Sequence, residues 1–136
     1  MLSEINDLRV ARGLVPLRTQ ATLARAAGAH SVEMVRLGYF GHDSADGTGF
    51  RSRIVSFYPR RTLGAGWRAG ENLAWQEGAP TASSLVDRWL ASPSHRANLF
   101  EPRFREVGIS AARSAHAPGV YGGRTVTVVT ADFGAR

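Results

Sequence analysis

The apolar positions of this chain fall into helical spacing first and strand alternation last. Leu2, Ile5 and Leu8 share one side of a helical wheel over residues 1–12, with Glu4 and Asp7 in the early turns and Gly13 as a stop. Pro16 then interrupts, and Thr19 is placed to cap a second helix. Its stripe, Leu23, Ala27, His30, Met34 and Leu37, alternates steps of four and three before Gly38 ends it. Gly41 to Gly47 is turn chemistry, and Phe50, Ile54 and Phe57 predict a third, shorter helix stopped by Pro59, followed by a basic loop over 60–68. Gly70 to Trp75 reads as a strand or an extended crossing segment. A helix over 81–91 presents Leu85, Val86, Trp89 and Leu90 on one face and is broken by Pro93. Val107, Ile109 and Ala111 alternate as a strand, and Arg124 to Phe133 is a Thr- and Val-rich second one, joined by a loop over 117–123. The apolar parity shifts between Val128 and Val129, which calls for a bulge or for burial on both faces. Helices followed by strands predict an α+β domain with an antiparallel sheet.

Length and charge narrow this picture. The chain has 136 residues, enough for one domain spanning 1–136 that buries roughly two-thirds of its unfolded surface. No apolar run approaches the roughly 18 residues of a membrane-spanning helix. Cysteine is absent, which excludes disulfides, thiolate metal sites and a cysteine nucleophile. The net charge is +6, and all 17 basic residues are arginine. Such a balance favours anionic partners. The arginines are scattered, however, and no zinc-finger spacing or RNA-binding aromatic signature accompanies them, so anionic cell-envelope polymers fit better than nucleic acid. A periodic segment follows Met1 directly, as expected of a cytoplasmic protein or of a chain whose export leader has been removed.

Three polar islands lie at element boundaries: Gly41-His42-Asp43-Ser44, Gly70-Glu71-Asn72, and Ser92 to Asn98. His42, Glu71 and His95 together offer two imidazoles and a carboxylate, a set that suits a divalent ion such as zinc with a coordination position left open. The same three residues would serve equally as a structural polar network that stitches loops together. Ser44, Ser94, His42, His95 and Glu71 also include the residue types of a serine hydrolase, although no Gly-x-Ser-x-Gly motif accompanies them. His30, on the apolar stripe, reads as a core histidine, and His116 as exposed. Asn72 and Asn98 read as turn-holding residues; Trp67, Trp75 and Trp89 read as core, with Trp67 the candidate for a stacking role.

Seven blocks in register give the chain a resemblance to bacterial members of the CAP superfamily, also called the SCP family. They are Ile5 to Arg9 with Gly13-Leu14 and Pro16-Leu17, Ala27 to Met34, Gly38 to Ser44, Gly70 to Ala74, Trp89 to Leu99, Glu106 to Ile109, and Phe133-Gly134. The resemblance implies a three-layer α-β-α sandwich with a central antiparallel sheet and a cleft holding a His, Glu, Glu, His tetrad. His42 matches the first histidine, Glu71 the first glutamate and His95 the second histidine. The second glutamate has no match, because its offset from Trp89 falls on Ser92. The resemblance therefore implies an open, weakened divalent-metal site of the kind that suits zinc, with Ser92, Ser94 and Asn72 around it. It further implies a monomeric, secreted or cell-envelope domain that binds rather than turns over. A lipid carrier using the groove beside the second helix, and a hydrolase using the cleft, are the alternatives.

Overall fold

The computed structural model describes residues 1–57 and 67–135. The long stripe of the second helix becomes the buried side of α2 (Ala21–Leu37), which packs Leu23, Ala27, His30 and Met34 inward, while Leu37, the last position of the stripe, is exposed at the helix end. The cap is Gln20, whose side chain accepts from the Thr22 N–H, rather than Thr19. Thr19 instead joins Arg18 in a two-residue strand, β1 (Arg18–Thr19), which follows α1 (Leu2–Val10). Gly38 ends α2 in the left-handed region at φ 74°, and its N–H donates to the Met34 carbonyl. The third helix, α3 (Phe50–Phe57), is as predicted; its Pro59 stop and residues 60–66 of the basic loop lie outside the described residues.

The strand expected around 70–75 is longer, β2 (Arg68–Glu77). Thr81 caps α4 (Ala82–Ala91) through its hydroxyl. Pro93 ends α4 and also opens α5 (Pro93–Phe100), a helix that the polar run 92–98 conceals, because proline is tolerated in a first turn where its missing N–H has no partner to lose. The chain closes with β3 (Glu106–Ala117), a 3₁₀ turn at Gly119–Tyr121, and β4 (Arg124–Ala135).

The sheet order is β1-β3-β4-β2. The three long strands pair antiparallel, as expected, but β1 runs parallel to β3, so the sheet is mixed and not wholly antiparallel. Two exposed polar residues carry no alternation from which such a strand could be read. Val128 and Val129 are both buried in unbroken register, so the parity shift marks burial on two faces; the irregularity lies in β3 between Ser114 and Ala117.

Helices cover both faces, which makes the three layers. On one face α1, α4 and α5 enclose a core of Ile5, Leu85, Val86, Trp89, Leu99, Val107, Ala131 and Phe133. On the other, α2 lies so close that a Cβ on Gly108 would stand 2.0 Å from the Ala24 nitrogen. That face holds two apolar clusters, one around Met34, Leu73, Tyr121 and Val128, the other around Leu23, Ile54 and Ala69. A stratum of buried polar residues, His30, Ser31, Arg53, Glu71, Thr130 and Asp132, accompanies them on this side of the sheet. Because β2 is an outer strand, side chains from both layers meet around its free edge.

Candidate functional site

Around that edge His42, Phe50, Gly70, Glu71, Ser94 and His95 line a cleft of 310 Å³. The backbone before His42 is fixed by His30, whose Nε2 lies 2.9 Å from the Gly41 carbonyl, so His30 is the buried core histidine its position predicts. Arg53 of α3 donates through Nη1 to the His42 carbonyl at 2.9 Å and to Ser44 Oγ at 3.3 Å. Its Nη2 pairs with Glu71 Oε2, and His42 Nδ1 meets Glu71 Oε1 at 2.8 Å. The Glu71 side chain is 1% exposed and that of His42 51% exposed. Both Glu71 oxygens are thus engaged, and His42 Nε2 is the ring nitrogen without a hydrogen bond among the described residues.

The opposite wall comes from α5. Asn72, the residue after Glu71, points to the other face of β2, where its Nδ2 donates to the His95 carbonyl at 3.0 Å. Asn98 donates to the Asn72 side chain at 2.9 Å and to the Glu71 carbonyl at 3.1 Å. Asn72 and Asn98 therefore hold a helix to a strand instead of holding turns, and they set where His95 stands. The His95 ring has no hydrogen-bond partner among the described residues. Ser92 lies in an adjoining hollow with Phe40, Trp75 and His95, and its hydroxyl meets that of Ser94 at 3.3 Å. Among the described residues neither Ser44 nor Ser94 bonds an imidazole, as a serine nucleophile with a histidine base would. Trp89 is core, its Nε1 donating to the Leu73 carbonyl at 3.0 Å; Trp75 is half-buried against Tyr121, and Trp67 packs on the Leu23–Ile54 cluster.

Comparison with known proteins identifies the family and the fold. The sequence profile of the CAP family, described as the cysteine-rich secretory protein family, matches residues 2–133. The chain belongs to this family. Over 110 residues it is 32% identical to YkwD of Bacillus subtilis, covering 80% of this chain and 40% of that protein. An extracellular SCP-domain protein of Bacillus anthracis superimposes with a TM-score of 0.72 at 26% identity, over 97% of this chain and 38% of the other. An outer surface protein of Borrelia burgdorferi gives a TM-score of 0.72 at 25% identity, over 99% of this chain and 89% of its own. The chain thus spans about two-fifths of the length of YkwD and of the B. anthracis protein. No helix among the described residues is long and apolar enough to cross a membrane.

The electrostatics of this CAP cleft rest on two groups that the polar islands do not contain. Arg53 sits three residues after Phe50 and four before Phe57, on the apolar stripe of α3, and a charge on such a stripe is the signal that would have found it. Asp132 interrupts an apolar strand directly opposite Glu71 in register. It is fully buried, and neither of its oxygens meets a donor among the described residues. Burial first and the Glu71 charge second push the Asp132 carboxyl well above its usual range. The Glu71 hydrogen bond raises His42, while burial and then the His42 charge lower His95, so His42 takes up a proton before His95 as pH falls.

Asp132 makes stability depend on pH in a definite sense. Its folded value lies above the unfolded one near 3.8, so its contribution is complete below that pH and is lost as pH rises toward the folded value. Asp132→Asn removes this loss. The melting temperature of the variant, relative to the native chain, is expected to climb as pH rises above about 4 and to level off once the native carboxyl is ionised; a difference independent of pH would contradict the assignment.

Proposed function

We propose that this domain binds a divalent cation, best suited to zinc, between His42 and His95, and that it works outside the cytoplasm as a binding module without turnover. The observation that carries the reading is the buried Glu71 carboxylate at 2.8 Å from His42 Nδ1, itself pinned by Arg53. A carboxylate in that position keeps the proton on Nδ1 and presents the Nε2 lone pair to the cleft, the relay by which ligating histidines are commonly oriented. Glu71 is then the residue that aims His42 rather than a third ligand. Among the described residues no group of three or more His, Cys, Asp or Glu gathers as a ready ligand set. Two imidazoles would make an open site with two protein ligands and modest affinity. Zinc held there would act as a Lewis acid toward a donor atom of an incoming ligand. Location outside the cytoplasm is supported by the extracellular and outer-surface proteins that share the fold.

Zinc titration of the metal-stripped chain, followed by the imidazole resonances of its four histidines, tests the reading. His42 and His95 are expected to shift together up to one equivalent, while buried His30 and distant His116 stay in place. Glu71→Gln should weaken binding about 10–100-fold without moving the stoichiometry. If the two cleft imidazoles do not respond to excess zinc, they belong to a structural network and the reading fails.

A further inference from the structure

β3 has twelve residues, yet β1 pairs with only its first two, Arg18 opposite Glu106 and Thr19 opposite Val107. The Gln20 N–H donates to the Val107 carbonyl at 2.9 Å, which marks the side of β3 that faces away from β4. Backbone groups alternate between the two sides of a strand, so the N–H and C=O groups of Ile109, Ala111 and Arg113 face that same side. No strand meets them there among the described residues. Open edges are usually bulged, shortened or covered. Here the register stays regular from Glu106 to Ser114 and shifts only beyond it.

Beside this edge runs a groove of 470 Å³ between β3 and α2, lined by Val32, Val35 and Arg36 on one side and Ala112, Arg113 and His116 on the other. Val32 is 49% exposed. The Arg36 and Arg113 guanidiniums have no hydrogen-bond or ion-pair partner among the described residues. A groove between a helix flank and an open strand edge is the arrangement in which a partner peptide adds itself to a sheet: its backbone supplies affinity and alternate side chains supply specificity.

We propose that the outer edge of β3 takes up an extended acidic peptide segment of a partner protein as a further strand. Its backbone pairs with Ile109, Ala111 and Arg113. Side chains on its α2 side meet the Val32 and Val35 floor, and its carboxylates meet Arg36 and Arg113. An anionic membrane would be attracted by the same arginines but has no use for the strand edge, and that difference separates the two.

The test is selection from a phage library of random octapeptides against the whole chain, then titration of the selected peptide into ¹⁵N-labelled protein. Selected sequences are expected to be rich in Asp and Glu. Amide shifts and slowed hydrogen exchange should concentrate at 109–113 and 32–36. The pair Arg36→Glu and Arg113→Glu, both on exposed side chains, should lower affinity about tenfold or more at low salt. Ala111→Pro removes one outward N–H without changing charge and should abolish exchange protection at the edge. The proposal is overturned if no peptide is enriched over the doubly substituted chain, if the footprint lies elsewhere, or if the peptide still binds Ala111→Pro as tightly. It is likewise overturned if phosphatidylglycerol–phosphatidylcholine vesicles, and no peptide, produce the footprint.

Discussion

Arg53→Met is expected to cost about 3–5 kcal/mol of folding stability, the range for removing one member of a buried ion pair. The guanidinium is 7% exposed and pairs with Glu71 Oε2, while its other nitrogen bonds the His42 carbonyl and Ser44. Methionine replaces the stem but leaves Glu71 and Asp132 facing one another across adjacent strands without the cation between layers. Two consequences follow that denaturant unfolding at neutral pH and zinc titration can measure separately. Stability should fall, and adding Glu71→Gln to Arg53→Met should restore part of it, because the stranded charge is then gone. Zinc affinity should fall as well, since nothing then holds Glu71 against His42 or the loop that carries His42. A loss below about 1 kcal/mol would mean that water reaches Glu71 freely and that Arg53 is an ordinary surface partner.

The same pair shows where the sequence is legible and where it is not. Elements that bury one face of a regular period can be read directly, as in the four-and-three stripe of α2 and the Leu85–Trp89 face of α4, and β4, buried on both faces, is legible instead from its run of Val and Thr. α5 escapes because only Leu99 of its eight residues is buried, and it is held by side-chain bonds from Asn72, Asn98 and Arg9 rather than by an apolar face. β1 escapes because its two residues are both exposed. In the site, His42, Glu71 and His95 stand out as polar residues at element boundaries, and family resemblance orders them into one cleft. Arg53 and Asp132 do not stand out, since each takes its meaning from a partner on another element. A buried charge can be suspected from its own neighbours in sequence, but what neutralises it is set by tertiary packing.

Arg9 is the second such case, and its replacement by methionine is expected to cost about 4 kcal/mol, given that hydrogen bonds from a charged donor contribute about 1.5–3 kcal/mol each before water recovers part of the loss. Arg9 is fully buried at the end of α1 and has carbonyls around it in place of a carboxylate. Nε donates to Val15 at 3.0 Å, Nη1 to Leu99 at 2.6 Å and Glu101 at 3.3 Å, and Nη2 to Phe104 at 3.2 Å. Burial, then the nearby Arg105, lowers its pKa, yet a guanidinium starts so high that it stays charged. Two of these carbonyls belong to the end of α5 and the residue after it, where a helix leaves acceptors without internal donors. Arg9 therefore anchors the far end of the helix that carries His95, while Asn72 holds the near end. Arg9→Met should lower the denaturant midpoint and speed hydrogen exchange through α5 ahead of α4. Arg9→Lys should recover only a fraction, because one ammonium cannot span four carbonyls that a flat, forked group reaches together. Equal exchange rates in α4 and α5 of the methionine variant would show that the Asn72–Asn98 bonds alone hold His95 in the cleft.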